Sequence, residues 1–287
     1  KRIGMREKKN KTDFALWKFS GKEERQQEWD SPWGTGFPGW HIECSAMSAK
    51  YLGVPFDIHT GGEDHIPIHH ENEIAQSECG YGVHPSVNYW VHNAFLVLPS
   101  GKMSKSKGDI KTISQLEKEG FNPLAYKYFT YSAHYRKPLT WSLEALQSSQ
   151  ESLKKLKQSI SQIEASERSS HGKDDGKTNK EYLEKFTNSI NDDLNMPQAL
   201  AVLHGLISDK TAEGKYQTIK KMDEVFGLDL LKEEELQIPA EVAALIEERA
   251  KARENKDWKL SDELRDKIKE KGWIVKDTKD GWDVEKA

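Results

Sequence analysis

The sequence predicts an α/β region that passes into an α-helical bundle and ends in a small α+β segment. Three patterns carry this. Residues 54–59, Val-Pro-Phe-Asp-Ile-His, read as a short buried strand that stops at Thr60-Gly61-Gly62 before a helical stretch. Asn88 to Leu98 alternates and is rich in Tyr, Trp, Val and Phe, as a second strand would be. Beyond Phe121 the apolar residues recur at helical spacing.

Taken in order, residues 1–35 are rich in charge, Gly and Trp and lack periodicity, which predicts a connector with loops. Ile42 to Leu52 fits a helix. Strand, glycine turn and helix then follow, a layout in which ligands collect at the carboxyl end of the strand and glycines admit close approach. Pro99-Ser100-Gly101 turns the second strand into a lysine-rich loop. Phe121-Asn122-Pro123 precedes a helix containing Ala125, Tyr128 and Phe129, and Leu143, Leu146, Leu153, Leu156 and Ile160 mark a longer one. Residues 164–180 are almost devoid of apolar side chains and predict a flexible surface loop. Helices resume near Lys180, with Pro197 in a first turn after Asp192-Asp193-Leu194-Asn195. The acidic stretch from Leu230 to Pro239 marks a boundary. After it, Val242, Leu245 and Ile246, then Leu260, Leu264 and Ile268, predict two amphipathic helices, and Trp273-Ile274-Val275 with Gly281-Trp282-Asp283-Val284 predicts a terminal hairpin.

A chain of 287 residues with 36% hydrophobic and 31% charged residues has room for two domains. No stretch is long and apolar enough to read as a membrane span, and nothing at the start resembles a signal peptide. Two cysteines without a pairing pattern fit a reducing compartment, so a cytoplasmic protein is expected. The net charge of −4 argues against a generally basic nucleic-acid coat but leaves local lysine clusters free to meet phosphates.

The chemistry concentrates between residues 39 and 73. His69 and Glu73 are four apart and, on a helix, project about 40° from each other. An ordinary surface pair has this spacing, and so do two metal ligands. Zinc takes thiolate, imidazole and carboxylate, and Cys44 supplies the soft donor. Cys79 points about 120° away from Glu73 on the same helix and reads as a buried thiol. A fourth ligand would come from elsewhere or from substrate.

Together with the pentapeptide Lys102-Met103-Ser104-Lys105-Ser106, these residues resemble the cysteinyl-tRNA synthetases (cysteine–tRNA ligases) of class I. Asp13-Phe14-Ala15-Leu16-Trp17-Lys18, Trp33-Gly34, Pro38 to Met47, His69 to Ser77, the lysine pentapeptide and Asp192-Asp193-Leu194-Asn195 stand in the family's order, from about residue 10 to the end and most densely through residue 140.

The resemblance implies a connective segment over 1–35 and the second half of a Rossmann-like catalytic domain over 36–140. A helical tRNA-binding bundle over 141–235 and an anticodon-binding segment over 236–287 follow. It implies ATP-dependent activation of L-cysteine to cysteinyl-adenylate, with Mg2+, and transfer to tRNA(Cys). Zinc on Cys44, His69 and Glu73 would select the substrate thiolate. Trp40 would line the amino-acid pocket; Gly61, Gly62, Asp64, Lys102 and Lys105 would hold ATP, the two lysines neutralising the triphosphate during catalysis. Trp273 and Trp282 would stack on unpaired bases, although a Trp in a small hairpin is also commonly its core.

Two departures stand out. The family pattern has an apolar residue after the aspartate and a proline directly before the histidine pair, whereas this chain reads Asp64-His65-Ile66-Pro67-Ile68-His69, so that His65 adds a polar contact. The His-x-Gly-His signature and the first cysteine ligand of the family's N-terminal half are not in the sequence, so that half, covalent or separate, is an expected partner. A cysteine ligase acting on an amino sugar and a noncatalytic tRNA-binding module are the alternatives.

Overall fold

The computed structural model describes residues 8–10, 12–21, 25–99, 101–102, 111–171, 176–232, 239–278 and 281–286. The chain divides into two compact units, Lys1–Leu231 and Lys232–Ala287.

In the first unit, β1 (Trp17–Phe19), inside the stretch expected to be connector, pairs antiparallel with β2 (Gly36–Pro38), which lies just past it. The chain enters α1 (Trp40–Leu52) directly from β2, two residues earlier than the apolar pattern suggested. β3 (Phe56–Gly62) and β4 (Val87–Asn93) lie parallel, in register from Phe56 opposite Val87 to Gly62 opposite Asn93, joined through α2 (Glu71–Tyr81). This is a strand–helix–strand crossover, and its two strand ends set the floor of the site.

The strand expected over 88–98 is two strands. β4 ends at Asn93; Ala94 then donates its N–H to the carbonyl of Tyr135, and β5 (Leu96–Leu98) joins a different sheet. There it pairs antiparallel with β6 (Gly101–Lys102) and parallel with β7 (Leu139–Thr140). Alternation in the sequence persists across a change of hydrogen-bond partner, which is why it hides the break.

Between them come α3 (Ile113–Lys118) and α4 (Pro123–Thr130). Thr112 and Gln115 close a reciprocal capping box on α3, and Asn122 caps α4 ahead of Pro123. α5 spans Leu143–His171, so residues 164–171 continue the helix instead of forming the expected loop. Polar residues without Gly or Pro tolerate a helix, and the Glu167 carboxylate accepts the backbone N–H of Lys215, tying this last part to the start of the next helices. α6 (Lys180–Asn191), α7 (Met196–Ser208) and α8 (Lys215–Phe226) complete the bundle. Its core joins Leu146, Leu153, Ile160, Leu203, Ile219 and Phe226, and Leu116 and Phe129 of the preceding helices belong to the same core.

In the second unit, α9 (Ala240–Glu254) and α10 (Trp258–Glu270) precede an antiparallel hairpin of β8 (Trp273–Thr278) and β9 (Gly281–Lys286). Val242, Ile246, Ile268, Trp273, Val275 and Val284 form its core. No helix of the described residues is long and apolar enough to cross a membrane.

Candidate metal and nucleotide site

Five segments converge at the carboxyl end of the parallel pair. The first turn of α1 brings Trp40, His41 and Cys44; the end of β3 brings His59, Gly61 and Gly62. A short turn over 63–65 and one π-helical turn over Ile66–His70 bring Asp64, His65, His69 and His70. α2 brings Glu73, and β4 brings His92. Single π turns recur at functional sites because the widened turn re-aims its side chains.

Cys44, His69 and Glu73 place one ligand atom each within 4.8 Å of one another. His69 and Glu73 are 5% and 4% exposed, in a setting where an uncompensated carboxylate is costly. Nε2 of His69 lies 2.7 Å from Oε1 of Glu73, yet that buried oxygen has no hydrogen bond. A separation this short without a hydrogen bond is the relation that two donors around one cation have. Thiolate, imidazole and carboxylate are the donors zinc takes, so the trio fits that ion.

Burial raises the Cys44 thiol above its ordinary pKa, and the Glu73 and Glu43 carboxylates push it the same way. Burial also lowers His69, against the pull of Glu73, and lowers His41 and His92. His70 is pushed down to about 4, burial outweighing Glu73. The ring of imidazoles is therefore neutral near pH 7 wherever a shift is seen, the form that binds metal.

Neighbouring histidines orient the ligands. Nδ1 of His41 lies 2.9 Å from Nδ1 of His69, and Nδ1 of His70 lies 2.7 Å from Nε2 of His92. His41, His59 and His92 were not singled out by sequence reasoning. The only signal was placement: His59 lies near the end of β3, and His92 stands opposite Gly61 in the strand register.

Gly61 has a steric reason: a Cβ there would meet Cε1 of His70 at 2.6 Å and Nδ1 of His65 at 3.0 Å. Its missing side chain admits imidazoles. Asp64 is exposed and turns its carboxylate back over Gly62. Trp40 is 57% exposed, its ring 4.4 Å from that of His69, so it forms an open wall beside the trio. Lys102 ends β6, where its backbone pairs with Val97, and Lys105 lies outside the described residues. In the second unit Trp273 is 5% exposed and packed in the core, whereas Trp282 is 42% exposed. Cys79, expected to be buried, is exposed, because α2 turns Glu73 and Ser77 inward and Cys79 away.

Residues 1–151, just over half of the chain, match the family described as the tRNA synthetases class I (C) catalytic domain. Residues 236–283 match the cysteinyl-tRNA ligase anticodon binding domain. The chain belongs to the class I cysteinyl-tRNA synthetase family. It is 45% identical to cysteine–tRNA ligase 1 of Burkholderia lata over 286 residues, covering 98% of this chain and 59% of that protein. Against the cysteine–tRNA ligase of Opitutus terrae it is 39% identical over 283 residues, covering 98% and 60%. The chain thus spans about three-fifths of the length of these relatives. The fold is similar to that of the agnB2 LeuRS of Agrobacterium radiobacter K84, solved in a ternary complex with tRNA and LeuAMS. That match has a TM-score of 0.50 at 14% identity and covers 71% of this chain and 31% of that one.

Proposed function

We propose that the chain is part of a cysteine–tRNA ligase that activates L-cysteine with ATP and Mg2+ to cysteinyl-adenylate and transfers it to tRNA(Cys). The observation that carries this is the convergence of Cys44, His69 and Glu73 at the carboxyl end of β3 and β4. A zinc ion held there supplies a bond to the substrate thiolate that a serine hydroxyl does not match, so selection needs no editing step.

The remaining roles belong to the chain's own side chains. Trp40 walls the amino acid against His69. Gly61, Gly62 and Asp64 sit on the nucleotide side, while Lys102 and Lys105 neutralise the triphosphate as the substrate carboxylate attacks the α-phosphate, a step governed by positioning and charge. Trp282 is the exposed ring for a tRNA base, whereas Trp273 lies in the core of that unit.

Residues 36–140 act as the second half of a Rossmann-like catalytic domain after a connective segment over 1–35. Residues 141–235 act as a tRNA-binding bundle and 236–287 as an anticodon reader, in a cytoplasmic enzyme. An N-terminal catalytic half is the remaining partner. Its support is the bareness of β3 and β4: Ile58 is 59% and Tyr89 69% exposed, although parallel strands normally have both faces covered. That partner also supplies the fourth zinc ligand. The C-terminal match favours tRNA over an amino sugar as acceptor.

The test is ATP–pyrophosphate exchange by the zinc-loaded chain with cysteine or serine, with and without the N-terminal half of a relative. Exchange with cysteine only, and only after that half is added, supports the proposal. Folded protein that binds tRNA without exchange under any condition supports the noncatalytic binding module instead.

A further inference from the structure

Glu73 has a second neighbourhood that the zinc trio does not use. Its Oε2 lies 2.8 Å from Nε2 of His59, and His59, His70 and Glu73 place one ligand atom each within 4.8 Å of one another. His70 and Glu73 are each 4% exposed. A simple hydrogen bond from His59 to the carboxylate would satisfy Nε2, but that buried nitrogen has no hydrogen-bond partner despite the short separation. The relation matches the one on the other side of the same carboxylate, between Oε1 and His69.

The surroundings are those of a built site. His92 engages Nδ1 of His70, leaving Nε2 for a cation and fixing the ring as outer partners of metal-bound histidines do. The ring of Trp90 packs 4.8 Å from that of His59 and 4.7 Å from that of His70, closing one wall with an apolar surface.

We propose that His59, His70 and Glu73 hold a second divalent cation, with the Glu73 carboxylate bridging it to the position at Cys44 and His69. Two imidazoles and one carboxylate oxygen, without thiolate, suit borderline ions such as Zn2+, Co2+ or Ni2+ and disfavour Mg2+ and Ca2+. The inference rests on the proposed zinc position only through the shared Glu73.

The test is titration of the metal-stripped 287-residue chain with Co2+, reading metal content after gel filtration and the thiolate-to-cobalt charge-transfer band. Two equivalents are expected. Cys44→Ser should abolish the band and keep one equivalent. His59→Gln and, independently, His70→Gln should keep the band and lower the content from two to one, with helical circular dichroism confirming the fold of each. A single equivalent that both histidine variants retain overturns the proposal, and so do two equivalents that neither histidine variant lowers, which would mark an adventitious ion only. If the unaltered chain shows no charge-transfer band but still loses one equivalent in both histidine variants, the second position stands and the thiolate reading fails.

Discussion

The Nδ1 atoms of His41 and His69 lie 2.9 Å apart, so the imidazole that would ligate zinc is held through its far nitrogen by the residue after Trp40. With Nδ1 engaged, Nε2 of His69 is the atom turned to Glu73. Loss of such an outer partner commonly costs 10–100-fold in metal affinity. His41→Ala should therefore weaken zinc binding by about 10–100-fold while leaving the thermal unfolding of the metal-free chain nearly unchanged. Competition with a chromophoric chelator reads this, and an unchanged affinity would show that His41 does not orient the ligand.

Zinc uptake should depend on pH through Cys44. Its thiol is held above its ordinary value, so at neutral pH it is protonated, and binding as thiolate expels that proton. His69 is lowered from its ordinary value and is already neutral at pH 7, so it adds nothing to the slope there. Affinity should rise by about tenfold per pH unit between pH 7 and 8, and Cys44→Ser should flatten the dependence. A flat profile in the unaltered chain would exclude Cys44 as a ligand.

Much of this site is legible in the sequence, and the limits have physical causes. The spacing of His69 and Glu73 encodes a shared face, and Cys44 is the natural soft donor, so three of the converging residues can be read directly. His41, His59 and His92 come from α1, β3 and β4, and only the parallel register and the approach of α1 bring them together. Gly61 reads as room for a nucleotide, and the crowding that a Cβ there would cause with His65 and His70 is visible only in the structure. The same limit applies to the fold. Apolar residues at helical spacing mark α9 and α10, whereas alternation across 88–98 conceals the sheet change at Ala94, and the polar stretch 164–171 gives no sign of the tie from Glu167 to Lys215.

The two tryptophans of the second unit should separate stability from RNA binding. Trp282→Ala removes an exposed ring and should weaken tRNA binding by about 1–3 kcal/mol with little effect on unfolding. Trp273→Ala empties a core position and should cost about 3–5 kcal/mol of stability in that unit. Filter binding and urea unfolding distinguish them, and equal RNA affinity for Trp282→Ala and the unaltered chain would remove Trp282 from the interface.

The bundle makes a simpler prediction. Leu203 of α7 is fully buried in the shared core, so Leu203→Ala should lower the unfolding free energy of the first unit by about 2–5 kcal/mol. Urea denaturation followed by circular dichroism reads the change; a loss under about 1 kcal/mol would mean that the packing around α7 relaxes into the space.

Zinc-edge X-ray absorption on the chain carrying one equivalent of zinc tests the central claim, with cysteine or serine then added. The account predicts one sulfur ligand from Cys44, a second sulfur on adding cysteine, and no change with serine. A zinc shell without sulfur, or one that responds alike to both amino acids, would contradict it.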